Sequence, residues 1–596
     1  MRRYIWQHAR DAIHRITRPR VILPATAIAG LAGGFVYYMR HDIEYIGIAQ
    51  GAHKHVPTLA LHPVTGGTKN LPIVTHQLDD DQPETMQKLN KPRLVILGGG
   101  WGAVSTIKNL NKDDYNVTLI SDNNYFLFTP LLPSATVGTL EMRSLLEPLR
   151  KIVARVHGHF LEGRAVDVDL EHKLVEVTSQ DGKENFYVPY DKLVIAVGST
   201  SITHGVQGLE NTFRLKTIQD AISVRRRITK NVEKAALPST PPEERERLLS
   251  FVVCGGGPTG VEFAAELYDW MNEDLVKWFP KILREDIKVT IIQSRDHILN
   301  TFDVKISEYA QRRFERSGIR VVTDARVERI DEDKVVYRYK NTDPPVYREV
   351  PYGLCMWSTG IAMTPFVKNL AEKLGIQQHT RALQTDCFCR VQGVEDASVF
   401  AIGDCATVEN PKIREHIVEI FETADKNKDG VLQFDEFADA IAFMRKEYPF
   451  SRQHIGELVK MFETYDVDKS GTLDIEEMKQ MLLDIDKKMT HYPATAQLAN
   501  QQGAYIGKLL TQLVKGDEDI DETVGPFRYR NLGALAYLGN TAVGEFGWGY
   551  KMVGGLWAMY LWRSVYWSKQ VSMRTRLNLS MDWSKAALFG RDISTV

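Results

Sequence analysis

Cysteine is scarce in this chain, and neither sign of charge dominates. Five of the 596 residues are cysteines (Cys254, Cys355, Cys387, Cys389, Cys405), too few and too scattered for a disulfide framework, and Cys387 with Cys389 alone is too little for a zinc site. No Cys-x-x-Cys pair occurs, so reduced thiols without a dithiol relay are expected. A formal charge of −2 lacks the positive field of a nucleic-acid binder, and nucleic acid is not expected as a partner. One apolar run approaches membrane length: residues 21–38, "VILPATAIAGLAGGFVYY", are eighteen residues without a charge.

What precedes that run is distinctive. Residues 1–20 hold six arginines and one acid, Asp11, the pattern of a mitochondrial import leader. If retained, the apolar run anchors the chain, with the arginines on the matrix side and the body in the intermembrane space. If removed, the whole stretch is a cleaved presequence. Residues 1–40 are therefore expected to be a targeting sequence and membrane anchor, and the mixed polar residues 41–90 a linker.

With 596 residues, several domains are expected, because single cores stop growing near 250 to 300 residues. "RLVILGGGWGAVSTIKNL", residues 93–110, reads as strand, turn and helix, with Gly98, Gly100 and Ala103 at the spacing that brings backbone against a pyrophosphate. The next strand ends at Ser121 and Asp122, making Asp122 the ribose candidate. A second copy, "FVVCGGGPTGVEFAAEL" at 251–267, carries Gly255, Gly257 and Gly260, followed by Glu262 and Glu266 on one helical face. "YDKLVIAVGST", 190–200, reads as a strand returning to the first turn, and "GLCMWSTGI", 353–361, plays that part for the second. "DASVFAIGDCA", 396–406, ends a further strand at Asp404, placed to accept hydrogen bonds from a sugar-like chain.

A different chemistry begins at residue 425. "DKNKDGVLQFDE" offers calcium ligands from Asp425, Asn427, Asp429, the backbone of Val431, Gln433 and Glu436, with Gly430 at the bend. "DVDKSGTLDIEE" repeats the pattern with Asp466, Asp468, Ser470, the backbone of Thr472, Asp474 and Glu477, and Gly471 at its bend. Starts 41 residues apart, each preceded by an apolar helical stretch, describe a paired EF-hand lobe. Regulation and a purely structural calcium are both open on these residues.

Together with "NYFLFTPLLPSATVGT" (124–139) and "HYPATAQLANQQGAYIGKLL" (491–510), these stretches resemble the type II NADH dehydrogenases. These are single-chain, non-proton-pumping NAD(P)H:quinone oxidoreductases, and the match is to their external mitochondrial, calcium-binding branch in fungi and plants. The resemblance covers about residues 90–596. It implies FAD at Gly98, Gly100 and Ala103, with Asp404 on the ribityl chain and Thr129 and Pro130 beside the isoalloxazine. It implies the nicotinamide nucleotide at Gly255, Gly257 and Gly260, with Glu262 on the nicotinamide side and Glu266 as second candidate. Gln497 and Gln501, four apart in "AQLANQQG", are expected to face ubiquinone.

Gln293 stands where many NADH-preferring members carry glutamate. A carboxylate there would repel a 2′-phosphate, whereas neutral Gln293 with Arg295 nearby makes NADPH an expected donor beside NADH.

The expected architecture is an α/β chain with two Rossmann-like domains of the two-dinucleotide flavoprotein type, an inserted EF-hand pair and a C-terminal membrane-associated region. FAD-binding parts fall at 91–230 and 366–410, the NAD(P)H-binding domain at 231–365, the EF-hand pair at 411–486 and the quinone-proximal and membrane-association region at 487–596. In that last region Trp557, Tyr560, Leu561 and Trp562, with Arg563 and Lys569, are expected to form an amphipathic surface for the inner mitochondrial membrane. A homodimer interface is the competing use of the same surface. Three other classes fit parts of the pattern: a disulfide reductase, for which the cysteines are wrongly spaced; a noncatalytic calcium-responsive scaffold; and an apoptosis-inducing-factor-like FAD oxidoreductase with a calcium-sensing role.

Overall fold

Continuous apolar runs bounded by glycine turns form parallel strands here, because a strand covered on both faces has no polar side to alternate with. The computed structural model describes residues 64–75, 90–279, 282, 284–377, 379–408, 413–447, 458–488, 492–516, 524–546 and 551–594. The expected leader and anchor lie outside the described residues. Along the chain, β1 (Arg93–Leu97) leads into α1 (Trp101–Asn109), then β2 (Asn116–Ser121), β3 (His159–Glu162), β4 (Lys192–Ile195) and α2 (Ile218–Ala236). The pattern restarts with β5 (Ser250–Cys254), α3 (Pro258–Trp270), β6 (Lys288–Ile292), β7 (Ile319–Val322) and β8 (Leu354–Trp357), before β9 (Val399–Ala401) returns to the first sheet.

The first sheet is parallel and five-stranded in the order β9-β4-β1-β2-β3, and the second is parallel and four-stranded in the order β7-β6-β5-β8. In both, the strand that opens the unit is central, which puts its carboxyl end at the crevice where ligands bind in open α/β sheets. One buried apolar cluster runs from the first sheet through α3 to the C-terminal helices, joining Leu119, Phe251, Trp270 and Leu579.

After β9 come four helices, α4 (Ile417–Ala424), α5 (Phe434–Glu447), α6 (Leu458–Tyr465) and α7 (Ile475–Lys488), around their own core of Phe421, Phe437, Leu473 and Met481. The chain then rejoins the first unit through α8 (Ala496–Val514). It continues as an antiparallel sheet, β10 (Ala534–Tyr537), β11 (Ala542–Glu545) and β12 (Lys551–Val553), and ends in α9 (Leu556–Ser568) and α10 (Met573–Phe589). Among the described residues no helix is long and apolar enough to cross a membrane.

Helix α8 lies directly on α1, and small residues make the approach possible. A Cβ at Gly503 would sit 2.2 Å from the Gly102 carbonyl oxygen, and one at Gly507 would sit 2.7 Å from that of Thr106. Ser105 Oγ donates to the Asn500 carbonyl across the same seam (2.6 Å).

Part of the expected linker has structure. Thr65–Gly66 pairs with Leu71–Pro72, and Ile73 bridges to Tyr187 on the small antiparallel sheet of Arg164–Asp169, Leu174–Thr178 and Asn185–Pro189. Strands of two residues carry no periodicity, so sequence pattern does not reveal them.

Candidate active site and calcium lobe

The two glycine turns share one geometry. Gly98 has φ +97° and Gly255 φ +118°, and a Cβ at either would strike a carbonyl oxygen of the neighbouring strand turn, Ala196 at 2.4 Å or Ser358 at 2.5 Å. Their amides donate to equivalent carbonyls, Ile120 (2.7 Å) and Ile292 (2.9 Å). The second glycines, Gly100 and Gly257, are the N-caps of α1 and α3, and a Cβ on either would meet nothing within 4 Å. Each cradle is therefore open at the helix N-terminus, where unpaired amides and the positive dipole end suit a pyrophosphate. The third positions close the packing: Ala103 is fully buried, and a Cβ on Gly260 would lie 2.2 Å from the Gly255 oxygen. These backbones fit FAD and a nicotinamide dinucleotide.

Around the first cradle, Asp404 sits in a 3-10 turn whose Gly403 amide donates to Gln502 Oε1 (2.8 Å). Ser199 Oγ donates to Asp404 (3.2 Å), and Lys216 Nζ donates to the Ser199 carbonyl (3.2 Å). Desolvation holds the Lys216 ammonium below the usual lysine range, with the Asp404 charge opposing. Neither Ser199 nor Lys216 stands out in the sequence as a site residue. The indole of Trp101, the first residue of α1, donates to Thr129 Oγ1 (3.1 Å), which brings Thr129 and Pro130 to the cradle's edge. Asp122 lies exposed just beyond β2, 3.8 Å from Arg164 Nε.

Near the second cradle, Gln293 is buried and cross-braces the turn: its Oε1 accepts from Gly256 N (3.3 Å) and Ser294 N (3.1 Å), and its amide donates to the His297 carbonyl (3.2 Å). Arg295 is exposed. Glu262 is buried, accepts from Tyr537 N (3.1 Å) and is pushed up to about 8, first by desolvation. Glu266 is also buried and accepts from the hydroxyls of Ser134 (2.5 Å) and Thr139 (3.2 Å).

Three placements differ from the simplest expectation. Gln497 and Gln501 share a face of α8, but their amides are engaged with backbone. Gln497 accepts from Tyr529 OH (2.8 Å) and Leu532 N (3.0 Å) and donates to the Gly533 carbonyl (3.1 Å), while Gln501 exchanges bonds with both backbone groups of Arg530 (2.8 and 2.9 Å). Trp562 is not on the exposed face of α9. It is 3% exposed and packs on Tyr537 and Tyr566, because α9 is apolar around most of its circumference and the core takes one side. Trp557, Tyr560 and Leu561 do face outward, as do Leu577, Met581, Leu588 and Phe589 near and along α10.

Four of the five thiols are buried, and Cys387 is half-buried. Cys254 and Cys355 lie 3.7 Å apart at sulfur on neighbouring strands, wholly buried inside the second sheet. Cys389 and Cys405 are buried too, and burial raises both thiols, that of Cys405 to about 12.

In the calcium lobe, Leu432 and Leu473 exchange backbone hydrogen bonds (2.8 and 2.9 Å), tying the loops together. Gly430 and Gly471 have φ +81° and +76°, the sharp bend that calcium loops need. Asp425 accepts from Lys428 N and Gly430 N, and Asp466 from Ser470 N and Gly471 N. The Asp466, Asp468 and Glu477 oxygens lie within 4.8 Å of one another. Hard oxygen donors so gathered fit calcium.

Two open dinucleotide cradles in one chain define a pyridine-nucleotide oxidoreductase, and residues 92–426 match the family model of the pyridine nucleotide-disulphide oxidoreductases. Residues 417–441 and 457–485 match EF-hand models, and residues 531–592 match the NDH2 C-terminal domain. An external alternative NAD(P)H-ubiquinone oxidoreductase B1 from Solanum tuberosum mitochondria is 40% identical over 546 residues, covering 87% of this chain and 92% of the relative. The external alternative NADH-ubiquinone oxidoreductase of Yarrowia lipolytica is 33% identical, covering 85% of this chain and 81% of its own. A solved structure of NDH2 from Plasmodium falciparum in complex with NADH superposes with TM-score 0.75 at 28% identity, covering 85% of this chain and 100% of that one. The chain belongs to the external alternative NAD(P)H-ubiquinone oxidoreductases of plant and fungal mitochondria.

Proposed function

We propose that this protein oxidises NADH or NADPH and passes the electrons to ubiquinone, as a mitochondrial, membrane-associated enzyme modulated by calcium. The observation that carries this reading is the pair of matched open cradles, with no accessible thiol pair beside them. Bound FAD supplies the two-electron chemistry between nicotinamide and quinone. The chain's own work is to hold and align. Gly98, Gly100 and Ala103 admit the FAD pyrophosphate, Asp404 holds its sugar chain and Thr129, braced by Trp101, borders the ring. Gly255, Gly257 and Gly260 admit the nicotinamide nucleotide, and Glu262 stands on its reactive side. Gln497 and Gln501 serve the quinone end by fixing the 529–533 backbone. On this reading FAD-binding parts lie at 91–230 and 366–410, and the nucleotide domain at 231–365.

The aromatic face of α9 and α10 meets the inner mitochondrial membrane, with the body in the intermembrane space. A homodimer over that face is the competing occupant, separated by sedimentation with and without liposomes. Anaerobic addition of NADH or NADPH to the holoenzyme, then of quinone with and without calcium, tests the function. Flavin that is never bleached, or never reoxidised by quinone, overturns it. Glu436→Gln with Glu477→Gln should abolish calcium stimulation; stimulation that survives in a variant unable to bind calcium refutes the regulatory role. Gln293→Glu should lower NADPH use relative to NADH, and an unchanged ratio of kcat/KM values removes Gln293 from donor choice.

A further inference from the structure

The calcium lobe interrupts the chain between two segments that meet beneath the flavin cradle, and its core holds both of its attachments. On the entry side, the short strand Ala406–Val408 follows closely on Asp404, and Val408 is buried inside the lobe core together with Ile413. On the exit side, α7 carries Glu477, the last ligand of the second loop, and buries Met478, Met481 and Leu482 in the same core. Tyr492 comes soon after α7 and shortly before Gln497 on α8. Among the described residues it is the one apolar side chain packed against both the lobe core and the main core.

Outside the lobe, Tyr492 touches the segment that Gln497 and Gln501 brace. Its ring meets Phe527 edge-on at 5.9 Å and Tyr529 at 5.5 Å. Phe527 N donates to the Cys387 carbonyl (2.8 Å), and Cys387 also packs against the lobe core. Tyr529 OH donates to Gln497 (2.8 Å), while Gln502 on the same helix accepts from Gly403 N (2.8 Å), beside Asp404. The exit and entry attachments are thus joined through α8. The second cradle has no comparable tie: among the described residues, no apolar side chain of 231–365 packs into the lobe core.

We propose that Tyr492 is the positioning residue through which calcium tightens quinone binding at the α8 end, leaving reduction of the flavin by NADH or NADPH unchanged. This rests on the quinone-reductase and calcium-modulation readings above. The direction follows from charge. Oxygens of Asp466, Asp468 and Glu477 lie within 4.8 Å of one another, and carboxylates that close repel. A cation among them draws in Glu477, and with it the start of α7. A firmer α7 seats the Tyr492 ring against Phe527 and Tyr529, so the 527–533 backbone is ordered before quinone arrives and less entropy is lost on binding. Without the cation the acids push apart and that support slackens. Such coupling is reciprocal: quinone must tighten calcium binding by the factor by which calcium tightens quinone binding.

The test uses the holoenzyme with Tyr492→Ala, which removes the ring, and Tyr492→Phe, which keeps it. In anaerobic stopped flow, calcium should lower the short-chain ubiquinone concentration for half-maximal flavin reoxidation by about fivefold or more in wild type. The saturating rate and the bleaching by NADH should not change. Tyr492→Ala should bind calcium at both loops in calorimetric titration, yet reoxidise with the same ubiquinone dependence with or without it. Tyr492→Phe should respond as wild type does. In the oxidised holoenzyme, ubiquinone should tighten calcium binding in wild type and Tyr492→Phe but not in Tyr492→Ala. An undiminished calcium response in Tyr492→Ala overturns the proposal, as does calcium that speeds bleaching instead. Wild-type calcium affinity that ubiquinone leaves unchanged also overturns it, and this measurement decides the matter should Tyr492→Ala fail to fold. Wild-type half-reactions that both ignore calcium overturn the regulatory reading as well, whereas flavin that NADH or NADPH never bleaches overturns the function itself.

Discussion

Gly503→Ala puts one methyl group into the seam between α8 and α1, and its effect follows from a single distance. The new carbon would stand 2.2 Å from the Gly102 carbonyl oxygen, whereas carbon and carbonyl oxygen settle at about 3.3 Å. The two helices must part by roughly 1 Å. Overpacking of this kind costs about 1–3 kcal/mol. The same shift carries Gln502 away from the Gly403 amide, now at 2.8 Å, and a buried N–H left unpaired costs about 1–3 kcal/mol more. Alanine returns up to about 1 kcal/mol in helix propensity, leaving a net loss of about 3 kcal/mol. Because Gly102 lies in the first turn of α1, the push should also reach the Gly100 cradle. Urea denaturation and bound flavin per chain, read by absorbance, measure both effects, and Gly507→Ala should be milder because its contact is 2.7 Å. A Gly503→Ala protein that is as stable as wild type and holds its full flavin would mean that the helices do not touch in solution.

Glu262 and Asp269 make an unusual pH signature. Their folded carboxyls are raised, to about 8 and about 7, so the unfolded chain releases these protons first and stability falls as pH rises from the ordinary carboxylate range toward 8. Thermal denaturation should show this decline, and Glu262→Gln should flatten it; an unchanged slope would show that Glu262 is ionised at neutrality. In the calcium lobe the second loop has four carboxylates among its side-chain ligands and the first has three, so the second should fill first. Calorimetric titration should lose its tighter step in Glu477→Gln and its weaker step in Glu436→Gln, and the reverse order would refute the charge argument.

Both glycine turns were legible from sequence because their requirement is local: a positive φ at Gly98 and Gly255 and an open helix end are written within six residues. The calcium loops were legible for the same reason. What stayed hidden depends on residues far apart. Acids spaced at 262, 266, 269 and 273 look like a wet helix face until Tyr537 and Arg591 arrive to cover them. Gln497 and Gln501 announce a helical face but not that the 529–533 backbone consumes their amides. Trp562 points inward on a helix whose composition gives no direction.

The seam between α1 and α8 joins residues 395 positions apart at Ser105 and Asn500. Contacts so distant are slow to form, since a long loop must close before they reward it. The floor of the flavin cradle thus opens near the start of the described chain and is finished only after the calcium lobe has been threaded between its two parts. A lobe that is already compact shortens the loop that remains to be closed. Calcium present while the chain folds should therefore hasten flavin incorporation, an effect on biogenesis separate from any effect on turnover.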